Sequence, residues 1–260
     1  MKIYQIDAFT DRLFAGNPAA VCILEEWLSD DLMQSIAAEN NLAETAFVIP
    51  YQDNFAIRWF TPTLEVALCG HATLASAYVL FHVLHYPQKE VIFQSLQSGE
   101  LSVSQSDDLL FLNFPTDTLV QVDAFDLLGA CIGITPKETY KGKTDYIAVL
   151  PQESNVSELL PDFGKIAQLD ARGLIVTAPG KEVDFVSRFF APQSGVDEDP
   201  VTGSAHTSLI PLWAKKLGKD EMKAKQLSKR GGEIICKYQA SRCLIGGKAK
   251  LYLVGDIWIK

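Results

Sequence analysis

Between Val66 and Leu84 the chain carries no Asp, Glu, Lys or Arg. A stretch of that length with no charged face has two homes, the bilayer or the centre of a large protein core. Gly70, His71, Thr73, Ser76 and His82 punctuate it, and nothing else in the chain resembles a second span. The reading is therefore a helix apolar all round, buried in a core. The rest of the chain supplies that core, since 48% of its 260 residues are hydrophobic and only 21% are charged. At about 100 to 200 residues per domain, the length allows one large domain or two modest ones.

The charge balance narrows the partners. Twenty-three basic against 32 acidic residues leave a formal charge of -9, which repels nucleic acid and anionic lipid alike. The one basic cluster, from Lys215 and Lys216 through Lys219, Lys223 and Lys225 to Lys229 and Arg230, is interrupted by Asp220 and Glu221 and reads as a solvated face. Met1 to Asp7 reaches an acidic residue before any secretory apolar core, so no signal peptide and a cytoplasmic location are expected. Five cysteines without a Cys-x-x-Cys pair are expected to be mostly reduced core residues.

Strand signals fill the first third: Tyr4, Ile6 and Ala8 alternate with polar residues, Ala19 to Leu24 is continuously apolar, and Phe55 to Phe60 is aromatic. A short helix is expected from about Asp31 to Ala38, with Ser29-Asp30 able to cap it. Short strands follow at Glu90 to Gln94, Leu101 to Ser104 and Leu109 to Phe114. After Phe114 the pattern starts again. A helix near Ala124 to Cys131 and strands near Tyr146 to Leu150, Leu174 to Ala178 and Asp184 to Phe190 lead to a second Gly-initiated helix, in which Pro211 should kink the helix or shorten its start. The segments Cys69-Gly70-His71-Ala72-Thr73 and Thr202-Gly203-Ser204-Ala205-His206-Thr207, each opening a long helix, suggest an internal duplication. The expected domains are 1–114, completed by a last strand near 256–260, and 115–255. Their two Gly-rich helix N-termini would face one cleft, suited to a small anionic ligand. No phosphate-binding loop motif is present.

Several side chains in this frame can carry chemistry. Glu44 is a lone carboxylate in an apolar strand-like run, where burial would raise its pKa and allow proton exchange near neutrality. The alternative is an edge-strand glutamate facing solvent, and spacing alone leaves both open. Asp199 ends a dense acidic run before a helix, where a cap is the default role. Ser204 either donates to a substrate carboxylate or satisfies the helix start. His71, in a first helical turn, would be neutral. Cys69 beside it is an acid/base candidate or ordinary packing. His82 and His85 have a metal-pair spacing on a helix, but no Cys, Asp or Glu nearby completes a site, so no metal is expected.

Taken together, Asp7-Ala8-Phe9-Thr10, Gly16-Asn17-Pro18, Asn41-Leu42-Ala43-Glu44-Thr45-Ala46-Phe47, Arg58-Trp59-Phe60-Thr61-Pro62, Cys69-Gly70-His71-Ala72-Thr73, Arg188-Phe189-Phe190-Ala191-Pro192 and Asp199-Pro200-Val201-Thr202-Gly203-Ser204 resemble the phenazine-biosynthesis isomerase-like (PhzF) family, in order along the whole chain. The resemblance implies an α/β (α+β) diaminopimelate-epimerase-like fold: two pseudo-symmetric barrels, each around a central helix. It implies a cofactor-independent isomerase, with no cofactor and no metal, moving a proton on a small carboxylate-bearing metabolite in an interdomain cleft. Glu44, Asp199 and His71 fall on catalytic positions of the family. Asn17, Cys69, Gly70, Thr202, Gly203 and Ser204 fall at substrate-binding positions. A homodimer is a further expectation of the likeness. Related epimerases use one cysteine from each half, and this chain shows Asp199-Pro200 where the second is expected, which argues against a two-thiol racemase. The alternatives are an amino-acid racemase or epimerase using Cys69 with a carboxylate, and a non-catalytic ligand-binding relative.

Overall fold

The structure is a computed structural model and describes residues 1–259. The chain divides into two compact units, Met1–Phe114 together with the segment from Gly246 onward, and Pro115–Ile245. The first unit runs β1 (Lys2–Ala8), β2 (Asn17–Ile23), α1 (Asp30–Asn40), β3 (Glu44–Tyr51), β4 (Asn54–Phe60), β5 (Glu65–Val66), α2 (Gly70–Tyr78), β6 (Glu90–Ser95), β7 (Gly99–Ser106) and β8 (Leu109–Pro115). β2 is antiparallel to β1 and parallel to β3. A strand paired on both edges and covered on both faces needs continuous apolar sequence, which is why Ala19 to Cys22 does not alternate.

α2 packs against β1, β2, β3 and β7, and every residue from Gly70 to Ala77 is buried. Its hydroxyls survive there by bonding back along the helix, Thr73 Oγ1 to the Cys69 carbonyl and Ser76 Oγ to the Ala72 carbonyl. The charge-free run is shorter as a helix than its composition suggests. Val66 ends β5, the helix begins at Gly70, and Val79–Val83 forms a π-helical turn. His82 lies in that turn, whereas His85 lies beyond it at a φ of 55°, so the two do not share a regular helical face. Among the described residues no helix is long and apolar enough to cross a membrane.

The expected domain limits need one correction. The last strand is Ala249–Asp256, not 256–260, and it pairs with the outer edge of β1 from Lys2↔Asp256 to Ala8↔Ala249. Burial does not mark it, since Tyr252, Leu253 and Val254 stay exposed. The backbone donors and acceptors of β1 place it in the first unit.

The second unit runs β9 (Val120–Gln121), α3 (Phe125–Ile132), β10 (Glu138–Lys141), β11 (Asp145–Val149), α4 (Glu153–Ser157), α5 (Phe163–Ile166), β12 (Gly173–Pro179), β13 (Phe185–Ala191), β14 (Val196–Asp199), α6 (Gly203–Leu217), β15 (Glu221–Gln226), β16 (Gly232–Gln239) and β17 (Arg242–Gly247). Trp213 of α6 stacks on Phe185 with ring centroids 5.6 Å apart and donates its Nε1 to Thr177 Oγ1. Pro211 neither delays the start of α6 nor ends it. A proline cannot donate to the carbonyl four residues back, that of Thr207, and the Asp117 N–H takes that place at 3.1 Å. The Asp117 carboxylate also accepts from Ser208 Oγ at 2.8 Å. Three lysines of the basic cluster are paired, Lys216 with Glu138, Lys219 with Asp184, and Lys225 with Glu182.

The two units repeat one pairing scheme. β2 is parallel to β3 as β11 is to β12, β3 is antiparallel to β4 as β12 is to β13, and β4 is parallel to β6 as β13 is to β15. Each Gly-initiated helix follows a short strand paired to the Phe-rich strand, β5 on β4 and β14 on β13. A bidentate ion pair is repeated as well: Arg58 grips Glu65 at 2.7 and 2.6 Å, and Arg188 grips Glu198 at 2.7 and 2.9 Å. Asp30, offered by the sequence as part of a cap for α1, instead accepts from Arg58 at 2.8 Å, and Ser29 makes no side-chain cap bond.

Candidate active site

In the first unit three elements converge on one imidazole. The turn before β2 is held by the buried Asp7, whose carboxylate accepts the Phe14 N–H at 2.9 Å. Gly16 then takes a φ of +65°, and a Cβ there would stand 2.1 Å from the Ala8 carbonyl oxygen, so only glycine fits. This delivers Asn17, fully buried, to the start of β2, with Nδ2 3.1 Å from Nδ1 of His71. Cys69, at the N-cap of α2, brings Sγ to 3.5 Å from the same nitrogen. Glu44, the first residue of β3, places Oε2 3.2 Å from His71 Nε2.

The ring is neutral. Burial pushes His71 down to about 3, against a smaller opposite effect of a hydrogen bond to the Pro18 backbone. Nδ1 faces both the Asn17 amide and the Cys69 thiol, while Nε2 faces Glu44 Oε2. Glu44 is half-buried, its side chain 17% exposed, which sets aside the solvent-facing reading. Glu44, Cys69 and His71 also offer metal-ligand atoms within 4.8 Å of one another. Glu44 and Cys69 address different ring nitrogens, however, so a cation would have to displace one of these contacts.

In the second unit Asp199 ends β14 and Thr202 is the N-cap of α6. Asp199 lies three residues before that N-cap. It accepts the Thr202 hydroxyl at 2.5 Å, and the loop between them is clamped by the buried Gln226. That amide accepts the Thr202 N–H at 2.9 Å and donates to the Asp199 carbonyl at 2.8 Å. Ser204, in the first turn, accepts from Arg172 Nη1 at 3.0 Å, and Arg172 is forked onto Asp145. His206 is fully buried, bonded to the Thr202 carbonyl at 2.8 Å, and pushed by burial down to about 4. It repeats the bond of Thr73 to Cys69 in the first unit.

Strand register equates positions across the repeat. Ala19↔Glu44 matches Asp145↔Gly173, and Thr45↔Phe60 matches Leu174↔Phe190, so Gly173 stands where Glu44 stands in the first unit. A Cβ at Gly173 would meet the Phe190 carbonyl oxygen at 2.5 Å, which leaves the second unit no carboxylate there. Aligning Gly70 with Gly203 pairs Cys69 with Thr202 and His71 with Ser204. Thr202, rather than Asp199-Pro200, is thus the counterpart of the thiol. Arg172 and Gln226 escape sequence reasoning. The signal for Arg172, one cation before an apolar run in the place equivalent to Ala43, emerges only once the repeats are superposed in register.

Two homologous units, each ending a short strand in a Gly-initiated helix beside polar side chains, define the diaminopimelate-epimerase-like fold. A probable proline racemase from Agrobacterium radiobacter shares that fold at a TM-score of 0.64, with 10% identity over 100% of this chain and 93% of the other. The sequence profile described as phenazine biosynthesis-like protein matches residues 6–255, and the chain belongs to that family, PhzF. An uncharacterized isomerase of Pseudomonas aeruginosa is 49% identical over 99% of this chain and 98% of its own. A PhzF-family crystal structure from Enterococcus faecalis has a TM-score of 0.96 and 44% identity, covering 99% of each chain.

Proposed function

We propose that the protein is a cofactor-independent isomerase that moves a proton within a small carboxylate-bearing metabolite, with Glu44 as the acid/base group. The observation that carries this reading is the half-buried Glu44 carboxylate 3.2 Å from Nε2 of a neutral, buried His71. The carboxylate removes a proton from carbon, the C–H electron pair delocalises toward the substrate carboxylate, and the proton returns at another carbon. No group is transferred and no electron is lost. The developing charge is met by first-turn N–H groups of α2, where Gly70 brings the backbone close. His71 steadies Glu44. Asp199 is assigned as a second proton carrier, while Asn17, Cys69, Thr202 and Ser204 are assigned to binding.

A metabolite screen read out by deuterium incorporation from heavy water tests this. Exchange on a small carboxylate by the wild type, lost in Glu44→Gln, is the expected result. Ligands that bind without exchange would instead mark a non-catalytic binding protein. A racemase using Cys69 with a carboxylate is the second reading, favoured by the thiol 3.5 Å from His71 Nδ1. It requires that alkylating Cys69 abolish activity. The chain is further proposed to pair with a second copy, and a monomer mass in light scattering would count against that.

A further inference from the structure

Arg172 stands immediately before β12 and reaches two partners with its planar fork. Nε and Nη2 donate to the two carboxylate oxygens of Asp145 at 3.0 and 2.5 Å, and Nη1 donates to Ser204 Oγ at 3.0 Å. Asp145 is buried, and the guanidinium lies over the Phe189 ring, 5.0 Å from its centroid. For stability alone this is a poor arrangement. A cation faces the first turn of α6, where the helix dipole is positive, and a buried ion pair offers little net gain over apolar packing.

The arrangement does settle the direction of one hydrogen bond. Arginine has donors and no acceptor, so Ser204 Oγ accepts from it and the Ser204 hydroxyl proton must point elsewhere. Among the described residues Arg172 is the only recorded hydrogen-bond partner of that oxygen. The counterpart of Ser204 in the other unit, His71, is likewise oriented by a side chain of its own unit, Asn17.

We propose that Arg172 is a positioning residue for Ser204: through Nη1 it fixes the serine hydroxyl as a donor aimed at the carboxylate of the bound metabolite. The inference rests on the functional reading above, in which Ser204 binds substrate. Asp145 in turn locks the fork, so that one branch of the guanidinium is left for Ser204.

The informative variant is Arg172→Lys. It retains a cation for Asp145 but cannot span both partners, whereas Arg172→Gln would leave a buried carboxylate unpaired and endanger folding. On the substrate identified by the deuterium screen, Arg172→Lys should lower kcat/KM about tenfold, mainly through KM, since a carboxylate contact serves ground and transition states alike. In a Ser204→Ala background it should have no further effect. Effects of Arg172→Lys and Ser204→Ala that simply multiply, or a kcat/KM for Arg172→Lys within twofold of the wild type, would overturn the proposal. A second arm needs no substrate: in crystals of Arg172→Lys, Ser204 should spread over more than one rotamer. Ser204 remaining in its single wild-type rotamer would overturn the proposal even if the screen found no substrate, so its failure is separable from that of the isomerase reading.

Discussion

Glu44 and His71 meet at 3.2 Å, the carboxylate from the first residue of β3 and the imidazole from the first turn of α2. Both elements pack against β2, so the contact is set by the interior of the first unit and not by a surface loop. Burial keeps that ring neutral beside the carboxylate.

Glu44→Gln retains volume and hydrogen-bonding reach but cannot accept a proton. Deuterium incorporation should fall about a hundred- to ten-thousand-fold, while the thermal midpoint stays close to that of the wild type. Rate constants for the pair on any substrate found decide the matter, and a rate within a few-fold of wild type would remove Glu44 from the chemistry.

Cys69→Ala removes one contact to His71 Nδ1 but leaves that of Asn17. The variant should retain substantial activity, within about tenfold. A loss as deep as that of Glu44→Gln would instead make the thiol a proton carrier and favour the racemase reading.

Acid should destabilise the protein through two histidines. Burial lowers His71 to about 3 and His206 to about 4, from 6.5. Below 6.5 the unfolded chain binds protons that the native state refuses. The stabilisation is therefore complete above that value and is lost as pH falls toward 4 and then 3, at about 1.4 kcal/mol per pH unit for each ring. Urea unfolding across this window should show a shallower slope for His206→Gln, and equal slopes would mean that the folded protein protonates His206.

The repeated arginine forks should matter for stability in both units. The Arg58 side chain is 10% exposed and that of Arg188 is 11%, so Glu65→Ala or Glu198→Ala leaves a largely buried guanidinium short of its bidentate partner. Each should cost about 2–3 kcal/mol, below the value for a fully buried pair because the glutamates are partly solvated. Glu65→Ala should cost less than Glu198→Ala, since Asp30 also contacts Arg58. Chemical denaturation of the two variants checks both the size and the order.

Local pattern determined a good deal of this protein. Apolar runs marked β2 and β12, glycines marked the starts of α2 and α6, and a solitary carboxylate in an apolar strand marked Glu44. Hydrophobic periodicity and turn chemistry act over a few neighbouring residues, so they can be read without knowing what lies opposite. The tertiary structure decided the rest: that Asn17 and Glu44 approach opposite nitrogens of His71, that Arg172 reaches the start of α6 at Ser204, that Asp117 takes the carbonyl freed by Pro211, and that the exposed last strand belongs beside β1. Each is a polar contact between groups far apart in the chain. Such partners are chosen by strand register and packing geometry, and nothing in the composition of either segment encodes them.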